Sequence, residues 1–207
     1  MLGLTRGVYP GIPRAMAEPR KIALFGGTFD PVHRGHIHLA EIAREKLHLD
    51  EVRFLPCRIS PHKLDQMPTP AKDRLKMLDL ATVDLPWAVV DDFEIRCQGP
   101  SYSWQTAEAM AEKFPGARLF WIMGDDQWRV LPDWARPERL AACVEFIVFQ
   151  RGGKPQPHEG LRLHVLDGGH PASATAIREA IARGDMNHPW LDPHVSSYIG
   201  EHRIYHQ

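Results

Sequence analysis

The amino-acid sequence predicts an α/β protein with a doubly wound, mostly parallel β-sheet. Short apolar runs alternate with segments of helical periodicity from one end of the chain to the other. Most of these runs end at glycine, proline or aspartate, as buried strands do where they enter loops. The 207 residues suit one domain with a substantial core, and strands that alternate with helices form right-handed, parallel βαβ units.

The first half of the chain is predicted to hold three strands, at residues 22–25, 51–56 and 87–90. The first is an uninterrupted apolar run before two glycines, which is typical of a strand buried on both faces. A helix is expected from Gly35 or His36, where apolar residues begin to recur every three or four positions. A second helix is expected over residues 69–78, because proline is compatible with a first helical turn. Residues 91–104 are predicted to form a loop.

The second half is predicted to continue the alternation, with two strong strands and one weaker strand at residues 119–123, 145–149 and 161–166. Helices are expected at residues 105–114, within 131–143, at 175–183 and at 195–202. In a parallel sheet, ligands bind at the carboxyl ends of the strands. We therefore expect the loops after the first four strands to form one crevice.

Residues 1–19 are predicted to form a disordered leader, and residues 20–207 a single folded domain. Glycine and proline residues interrupt any periodicity in the leader, which also lacks the apolar core of a signal peptide. Met16, shortly before the first strand, is a second candidate for the natural start of the protein.

The composition argues against several classes of function. The formal net charge of −1 gives no support for general nucleic-acid binding. No apolar run approaches the roughly 20 residues that a membrane-spanning helix needs, so no membrane association is expected. The three cysteines are odd in number and scattered, which favours a reducing cytoplasm over a disulfide framework. We therefore expect a cytoplasmic protein that acts on small molecules.

The loop between the first strand and the first helix has the chemistry of a phosphate site. Gly26 and Gly27 lack a Cβ atom, so a phosphate could approach the backbone closely. The following helix points free N–H groups and a partial positive charge at the loop. His33 and His36 share one face if the first turn is already helical, and their imidazoles can donate hydrogen bonds to phosphate oxygens.

Two simpler interpretations of this loop stay open on these residues alone. The glycines could serve only as a turn. His33 and His36, or His36 and His38, could be half of a metal site, but no cluster of cysteine and histidine elsewhere supplies partners at zinc spacings. We therefore expect no metal held by the protein alone.

The segment that begins at His170 carries a second anion signal. Ser173 or Thr175 can cap the helix that follows. Arg178, one turn into that helix, offers a planar five-donor fork suited to phosphate. A capped surface helix with an exposed arginine is the simpler interpretation of this segment taken alone.

The first loop also contains a long and specific string, GGTFDPVHRGH, which fits neither the Walker A pattern nor the dinucleotide GxGxxG pattern. It resembles the GxFxPxHxGH signature of the nucleotidyltransferase superfamily. The fixed positions of that signature are filled by Gly27, Phe29, Pro31, His33, Gly35 and His36. The resemblance implies a Rossmann-like nucleotidyltransferase fold.

The middle of the chain narrows the resemblance to the bacterial-type nicotinate mononucleotide adenylyltransferases. The similar segments follow the family's order over about residues 21–205. After the first loop they are Pro56…Ser60-Pro61-His62-Lys63, Arg74…Met77, Glu94-Ile95-Arg96…Ser101-Tyr102-Ser103…Thr106, Gly124-Asp125-Asp126 with Trp134, and Ser173…Arg178. The departures from the pattern are Ser60, the inserted Pro100, Ser103, Gln105 and Ala174. Gln105 stands where the family has an acid, and Ala174 where it has a serine hydroxyl.

The resemblance implies adenylyl transfer from ATP to nicotinate mononucleotide, which gives nicotinate adenine dinucleotide and pyrophosphate, a step of NAD biosynthesis. It implies catalytic roles for His33, His36 and Arg178. It implies ATP-binding positions at Gly26, Gly27, Thr28, Phe29, Gly124, Asp126, Ser173, Thr175 and Ile177. The implied mononucleotide-binding positions are Lys63, Tyr102, Ser103, Trp134 and Ala135. Mg²⁺ is expected to arrive with ATP, because the sequence shows no dedicated carboxylate cage.

Other functions share parts of this pattern. Adenylyltransferases for nicotinamide mononucleotide or phosphopantetheine share the first motif, but segments 101–103 and 124–134 favour the nicotinate family. Class I aminoacyl-tRNA synthetases also have an HxGH box, but they need a KMSKS-like loop and an anticodon-binding extension, and neither fits in this chain. A non-catalytic nucleotide-binding module would be expected to lack a histidine of the box, and both are present.

Overall fold

The computed structural model describes residues 18–61 and 67–206, which form a six-stranded sheet in the order β3-β2-β1-β4-β5-β6. The strands are β1 (Lys21–Gly27), β2 (Glu51–Pro56), β3 (Ala88–Val90), β4 (Arg118–Gly124), β5 (Val144–Gln150) and β6 (Leu163–Asp167). Every neighbouring pair is parallel. The predicted doubly wound α/β fold is confirmed, and the weak pattern over residues 161–166 does contain the edge strand β6.

Helices connect the strands and cover both faces of the sheet. They are α1 (Arg34–Leu47), α2 (Ala71–Thr82), α3 (Phe93–Arg96), α4 (Ser103–Lys113), α5 (Asp125–Arg129), α6 (Pro137–Cys143), α7 (Ala174–Ala182) and α8 (Pro193–Glu201). A 3₁₀ turn at Leu131–Asp133 joins α5 to α6. The long helices lie where the apolar periodicity predicted them, because each needs an apolar face for the core.

The short helices are where the sequence-based prediction of structure was wrong. Residues 91–104, predicted to be a loop, contain α3 and the first two residues of α4. Helix α5 was also not predicted. Both α3 and α5 are too short to show an amphipathic period. Side-chain hydrogen bonds stabilise both helices. The Asp91 carboxylate accepts from the N–H of Phe93 at the start of α3, and Trp128 of α5 donates its indole N–H to the carbonyl of Gln156 at 2.7 Å.

Two apolar cores lie on opposite faces of the sheet because residues alternate along each buried strand. In β1, Ala23 and Phe25 face the core under α1, α2, α7 and α8. Ile22 and Leu24 face the core under α4, α5 and α6. Strand β1 is therefore an uninterrupted apolar run because both of its faces are buried.

The strand order reverses between β1 and β4, which are neighbours in the sheet although two strands separate them in sequence. Connections leave this point in opposite directions, so a crevice opens at the carboxyl ends of β1 and β4. The loop after β1 and the segment after β4 border that crevice. The fold therefore brings the first motif and the Gly124 segment together.

Some predictions fall on residues that the structure does not describe. These are the leader up to residue 17, including Met16, and the loop residues His62 and Lys63. Within the described ranges, no helix combines the length and the apolar character needed to cross a bilayer.

Candidate active site

Two adjoining cavities occupy the crevice at the carboxyl end of the sheet. The α7 cavity, of about 670 Å³, is lined by the loop after β1, by Met67 and Pro68, and by the start of α7. The β4 cavity, of about 340 Å³, is lined by the ends of β1 and β4, by α3 and α4, and by Trp134. Thr28, His36 and Ser60 line both cavities. His36 therefore stands at the junction between two compartments.

The two histidines of the first motif are stacked on each other. Helix α1 begins at Arg34, so His36 lies in its first turn and His33 precedes it as the N-cap, with an extended backbone. The ring centroids lie 3.7 Å apart with an interplanar angle of 17°. The backbone N–H of His33 donates to Nδ1 of His36 at 3.2 Å. A neutral His36 therefore carries its proton on Nε2, which leaves that N–H free to donate.

Burial controls the charge of both imidazoles. It lowers the pKa of His33 to about 4, with a further contribution from nearby His170. Burial, followed by the proximity of His33, lowers the pKa of His36 well below its ordinary value. Both rings are neutral at pH 7. They can donate hydrogen bonds to a phosphate, but they do not themselves supply positive charge.

Arg178 supplies positive charge to the α7 cavity. Its Nη1 donates to the carbonyl oxygen of Asp30 at 2.7 Å, and its Nη2 donates to the Thr175 hydroxyl at 3.4 Å. Ser173 caps α7, as predicted, by accepting a hydrogen bond from the N–H of Ala176 at 3.4 Å. Thr175 and Arg178 line the α7 cavity together with Ala174. The two predicted phosphate segments therefore face one another across one space.

Neighbouring aromatic rings also require glycine at the two glycine positions of the first motif. A Cβ atom on Gly26 would lie 3.0 Å from Cζ2 of Trp121, and one on Gly27 would lie 3.0 Å from Cζ of Phe29. Both glycines line the β4 cavity, so the backbone is accessible, but aromatic rings already occupy the side-chain positions. Phe29 has a left-handed backbone (φ 50°), and its buried ring packs edge-on against His36 with 4.9 Å between centroids.

Some predicted site residues are not brought to the crevice. The Ile177 side chain is fully buried in the core beneath α7, and its N–H donates to the carbonyl of Ser173. Ala135 is exposed beyond Trp134. Tyr102 is the N-cap of α4, where its carbonyl accepts from Gln105 and Thr106. The Ile177 side chain therefore serves the core, and the ATP contact expected of this residue stays a prediction.

The β4 cavity contains the other predicted positions. Ser103, at the start of α4, and Trp134 both line it, as do Gly124 and Asp126. Arg151, which directly follows β5, lines the same cavity, and its charge contributes to the lowered pKa of both His33 and His36. Sequence reasoning treated Arg151 only as the residue that ends a strand.

Glu94 is a second residue that sequence reasoning left without a role. Its side chain lines the β4 cavity and is only 5% exposed. The Thr106 hydroxyl donates to its Oε1 at 2.7 Å. Burial raises the pKa of Glu94 to about 7 despite that hydrogen bond. The only signal in the sequence was the spacing of Glu94 and Thr106 within one family segment, since α3 is too short to show a period.

No group of three or more His, Cys, Asp or Glu side chains in the described part of the chain could hold a metal ion. The rings of His33 and His36 are stacked nearly parallel, so the in-plane lone pairs of their nitrogens do not converge on one metal position. The geometry therefore suits anion binding by N–H donors and arginines.

Comparison with known proteins agrees with this arrangement. A model of the cytidylyltransferase-like family matches residues 24–180. A protein of Geobacillus thermodenitrificans named "probable nicotinate-nucleotide adenylyltransferase" is 34% identical over 187 residues, which cover 89% of this chain and 86% of that protein. A protein of the same name from a Synechococcus strain is 35% identical over 198 residues and covers 91% and 96%. The chain belongs to the nicotinate-nucleotide adenylyltransferase family.

The fold of the family is also found among solved structures. The nicotinic acid mononucleotide adenylyltransferase of Plasmodium falciparum aligns with a TM-score of 0.69, and the alignment covers 90% of this chain and 97% of that one. The sequence identity is 17%, so the likeness shows a shared fold.

Departures from the family pattern lie in different settings. Gln105 is exposed on α4, whereas the next residue, Thr106, is buried against Glu94. Ala174 lines the α7 cavity, so the missing hydroxyl removes one donor from that wall. Ser103 retains a hydroxyl at the wall of the β4 cavity. The structure thus keeps the buried contact of the α4 segment and loses one phosphate donor.

Proposed function

We propose that this chain transfers the adenylyl group of ATP to nicotinate mononucleotide. An oxygen of the mononucleotide phosphate attacks the α-phosphorus of ATP and forms a new P–O–P bridge. The bond between the α-phosphorus and the oxygen that bridges to the β-phosphorus breaks, and pyrophosphate leaves with that electron pair. The products are nicotinate adenine dinucleotide and pyrophosphate.

The observation that carries the proposal is the shared wall of the two cavities. A reaction between two phosphates needs two compartments that meet at the reacting phosphorus atom. The α7 cavity has cationic and N–H donors suited to a triphosphate, and the β4 cavity has an aromatic wall suited to a flat ring. His36 lines both. It therefore stands where the α-phosphate would receive the second substrate.

The donors of the α7 cavity are assigned by position. His36, through its free Nε2–H, and His33 hold the α-phosphate, where charge develops on the oxygens as the bond breaks. Arg178, Thr175 and the free N–H groups at the start of α7 hold the β- and γ-phosphates, which leave together. Arg151 adds positive charge from the rim of the β4 cavity.

The chemistry needs no strong general base. A phosphate monoester has a second pKa of about 6, so the attacking group is already largely dianionic at pH 7. Catalysis then consists of alignment and of stabilising charge along an in-line displacement. We expect Mg²⁺ to bind the oxygens of ATP and to enter as part of that substrate.

Selection of the pyridine is assigned to the β4 cavity. Trp134 offers a ring for stacking, and backbone N–H groups near Ser103 suit a carboxylate rather than an amide. The Plasmodium protein of the same fold was solved in complex with NaAD, the dinucleotide product named here. Lys63 and Ala135 remain proposed contacts to the mononucleotide. The three free cysteines agree with the cytoplasmic setting that we expect for this reaction.

A pyrophosphate-release assay with ATP and either pyridine mononucleotide tests this function. We expect kcat/KM for nicotinate mononucleotide to exceed that for nicotinamide mononucleotide by at least about a hundredfold, because an amide would leave protein N–H donors unpaired. Equal use of both would contradict the selectivity, while leaving adenylyl transfer intact. No pyrophosphate release with either mononucleotide, from folded protein with Mg²⁺ present, would contradict the function itself.

A further inference from the structure

Asp30, in the loop between β1 and α1, is held by three segments that are far apart in sequence. Its Oδ1 accepts a hydrogen bond from the Tyr205 hydroxyl at 2.5 Å. Its Oδ2 accepts one from the backbone N–H of Thr69 at 3.1 Å. Its carbonyl oxygen accepts one from Nη1 of Arg178 at 2.7 Å. The chain after α8, the segment before α2 and helix α7 therefore converge on one residue of the phosphate loop.

Tyr205 is suited to be a permanent donor in this arrangement. It lies shortly after α8 in a left-handed backbone conformation (φ 65°) that turns the end of the chain. Burial, followed by the negative charge of Asp30, raises the pKa of the Tyr205 hydroxyl. The hydroxyl is therefore protonated at neutral pH, and its hydrogen bond to the carboxylate is charge-assisted.

The hydrogen bonds to the Asp30 carboxylate hold this residue in place in the loop, and the carbonyl that Arg178 contacts lies on the same stretch of backbone. That carbonyl orients the guanidinium of Arg178, whose other contact is the Thr175 hydroxyl at 3.4 Å. A planar guanidinium with Nη1 tied to a carbonyl can aim its remaining donors in only a narrow range. Loss of the Tyr205 hydrogen bond would leave the Asp30 carboxylate with Thr69 alone, so the loop backbone would shift and the guanidinium of Arg178 would lose its alignment with the α7 cavity.

We infer that Tyr205 is a positioning residue for the pyrophosphate leaving group: through Asp30 it aims Arg178 into the α7 cavity. The inference rests on the proposed adenylyl transfer, and it adds a residue outside both phosphate-binding segments. Tyr205 itself lines neither cavity. Its effect is therefore specific for ATP and pyrophosphate, and the mononucleotide side of the reaction is unaffected.

The chain contains a matched control for this hydrogen bond. The hydroxyl of Tyr198, in α8, donates to Oδ1 of Asp73 at 2.8 Å. This is also a tyrosine-to-carboxylate bond from the C-terminal part of the chain to its body. Asp73 lies in α2, is 8% exposed, and lines neither cavity. Removal of either hydroxyl costs one such bond, but only Tyr205 acts on the phosphate loop.

The test compares Tyr205→Phe with Tyr198→Phe. We expect Tyr205→Phe to lower kcat/KM for ATP by about tenfold or more, because misalignment of a distant support acts on the reacting geometry. The affinity for inorganic pyrophosphate, measured by calorimetry, falls in parallel, and the KM for the mononucleotide is unchanged. Tyr198→Phe leaves all three quantities near those of the unmutated protein. Equal effects of the two variants on ATP and pyrophosphate would overturn the positioning role.

A double-mutant cycle separates positioning from loss of stability. In an Arg178→Ala background, Tyr205→Phe is expected to cost less than about twofold in kcat/KM for ATP, because the group that it aims is absent. A cost that persists in full would refute the inference.

If the unmutated protein releases no pyrophosphate at all, adenylyl transfer fails as a function. Pyrophosphate calorimetry on the same variants then decides the positioning role without turnover.

Discussion

The α7 cavity and the β4 cavity meet at His36, but they are built in different ways. The polar groups of the α7 cavity come mainly from two short continuous segments, the loop after β1 and the start of α7. The wall of the β4 cavity comes from β1, α3, α4, β4 and the segment around Trp134. An anion can be bound by local backbone and a few donors, whereas a flat ring needs walls from several elements.

Burial has the same effect on the charge of titratable side chains in both cavities. It lowers the pKa of His33 and His36, which are bases, and it raises the pKa of Glu94, which is an acid. Burial thus disfavours the charged form in each case. Arg178 and Arg151 supply positive charge to the crevice, whose walls also include the carboxylates of Asp30 and Asp126. The crevice therefore combines neutral hydrogen-bond donors near the reacting phosphate with arginines placed farther out.

The largest expected effect is that of His36→Ala, because His36 belongs to both cavities. We expect kcat to fall by about a hundredfold, or about 3 kcal/mol of transition-state stabilisation, with little change in ATP affinity. Steady-state kinetics together with ATP calorimetry would measure both quantities. His38→Ala, on the same helix but outside both cavities, is the control. Near-normal turnover of His36→Ala would contradict its transition-state role.

Arg178→Lys tests the α7 cavity alone. A lysine keeps the charge but loses the fork, so we expect weaker ATP saturation and slower turnover together, by about tenfold in kcat/KM. The KM for the mononucleotide should not change. Arg183→Lys, at the exposed end of α7, is the matched control. If both lysine variants kept normal kinetics, α7 would be only a capped surface helix.

Trp134→Ala tests the β4 cavity alone. Loss of stacking should weaken the binding of nicotinate and nicotinamide mononucleotide by a similar factor of about ten, because the ring face does not contact the carboxylate or the amide. ATP saturation should be unaffected, and Trp134→Phe should restore most of the loss. An effect confined to one mononucleotide would mean that ring and carboxylate contacts have been assigned to the wrong residues.

Glu94→Gln is expected to change the pH dependence of the free energy of unfolding. The folded-state pKa of about 7 lies above the ordinary value of 4.5, so the folded protein holds an extra proton between these values. The free energy of unfolding of the unmutated protein therefore falls as pH rises from about 4.5 through 7. Glutamine does not ionise, so the variant does not show this fall. Between pH 5 and pH 8, its free energy of unfolding should rise by about 2 kcal/mol relative to that of the unmutated protein.

Urea unfolding of both proteins at pH 5 and pH 8 measures this difference. Glu112→Gln, on the exposed face of α4, controls for the loss of a carboxylate. A pH dependence that is the same in all three proteins would show that Glu94 is ionised in the fold at pH 5.

The contrast between the cavities also explains what the sequence could predict. The long strands and helices follow from apolar periodicity, and the stacked His33 and His36 follow from a continuous motif. Glu94 could not be assigned because α3 shows no period and its partner, Thr106, is fixed only by tertiary packing. The role of Asp30 depends on Tyr205, which lies at the far end of the chain. Contacts of this kind leave no local pattern.

Ile177 shows that a motif position can also serve the core. It occupies a fixed place in the family segment, and its side chain is fully buried in the core beneath α7. Its neighbours Thr175 and Arg178 lie on the face of α7 that borders the cavity. A motif therefore includes residues that place the helix as well as residues that bind.

The most direct test of the division between the cavities is a crystal structure with the dinucleotide product bound. We predict that the bridging phosphates lie against His36, with the pyridine ring against Trp134 in the β4 cavity. The adenylyl side should extend away from Trp134. A pyridine ring in the α7 cavity beside Arg178, or phosphates out of reach of His36, would contradict the assignment of the two substrates.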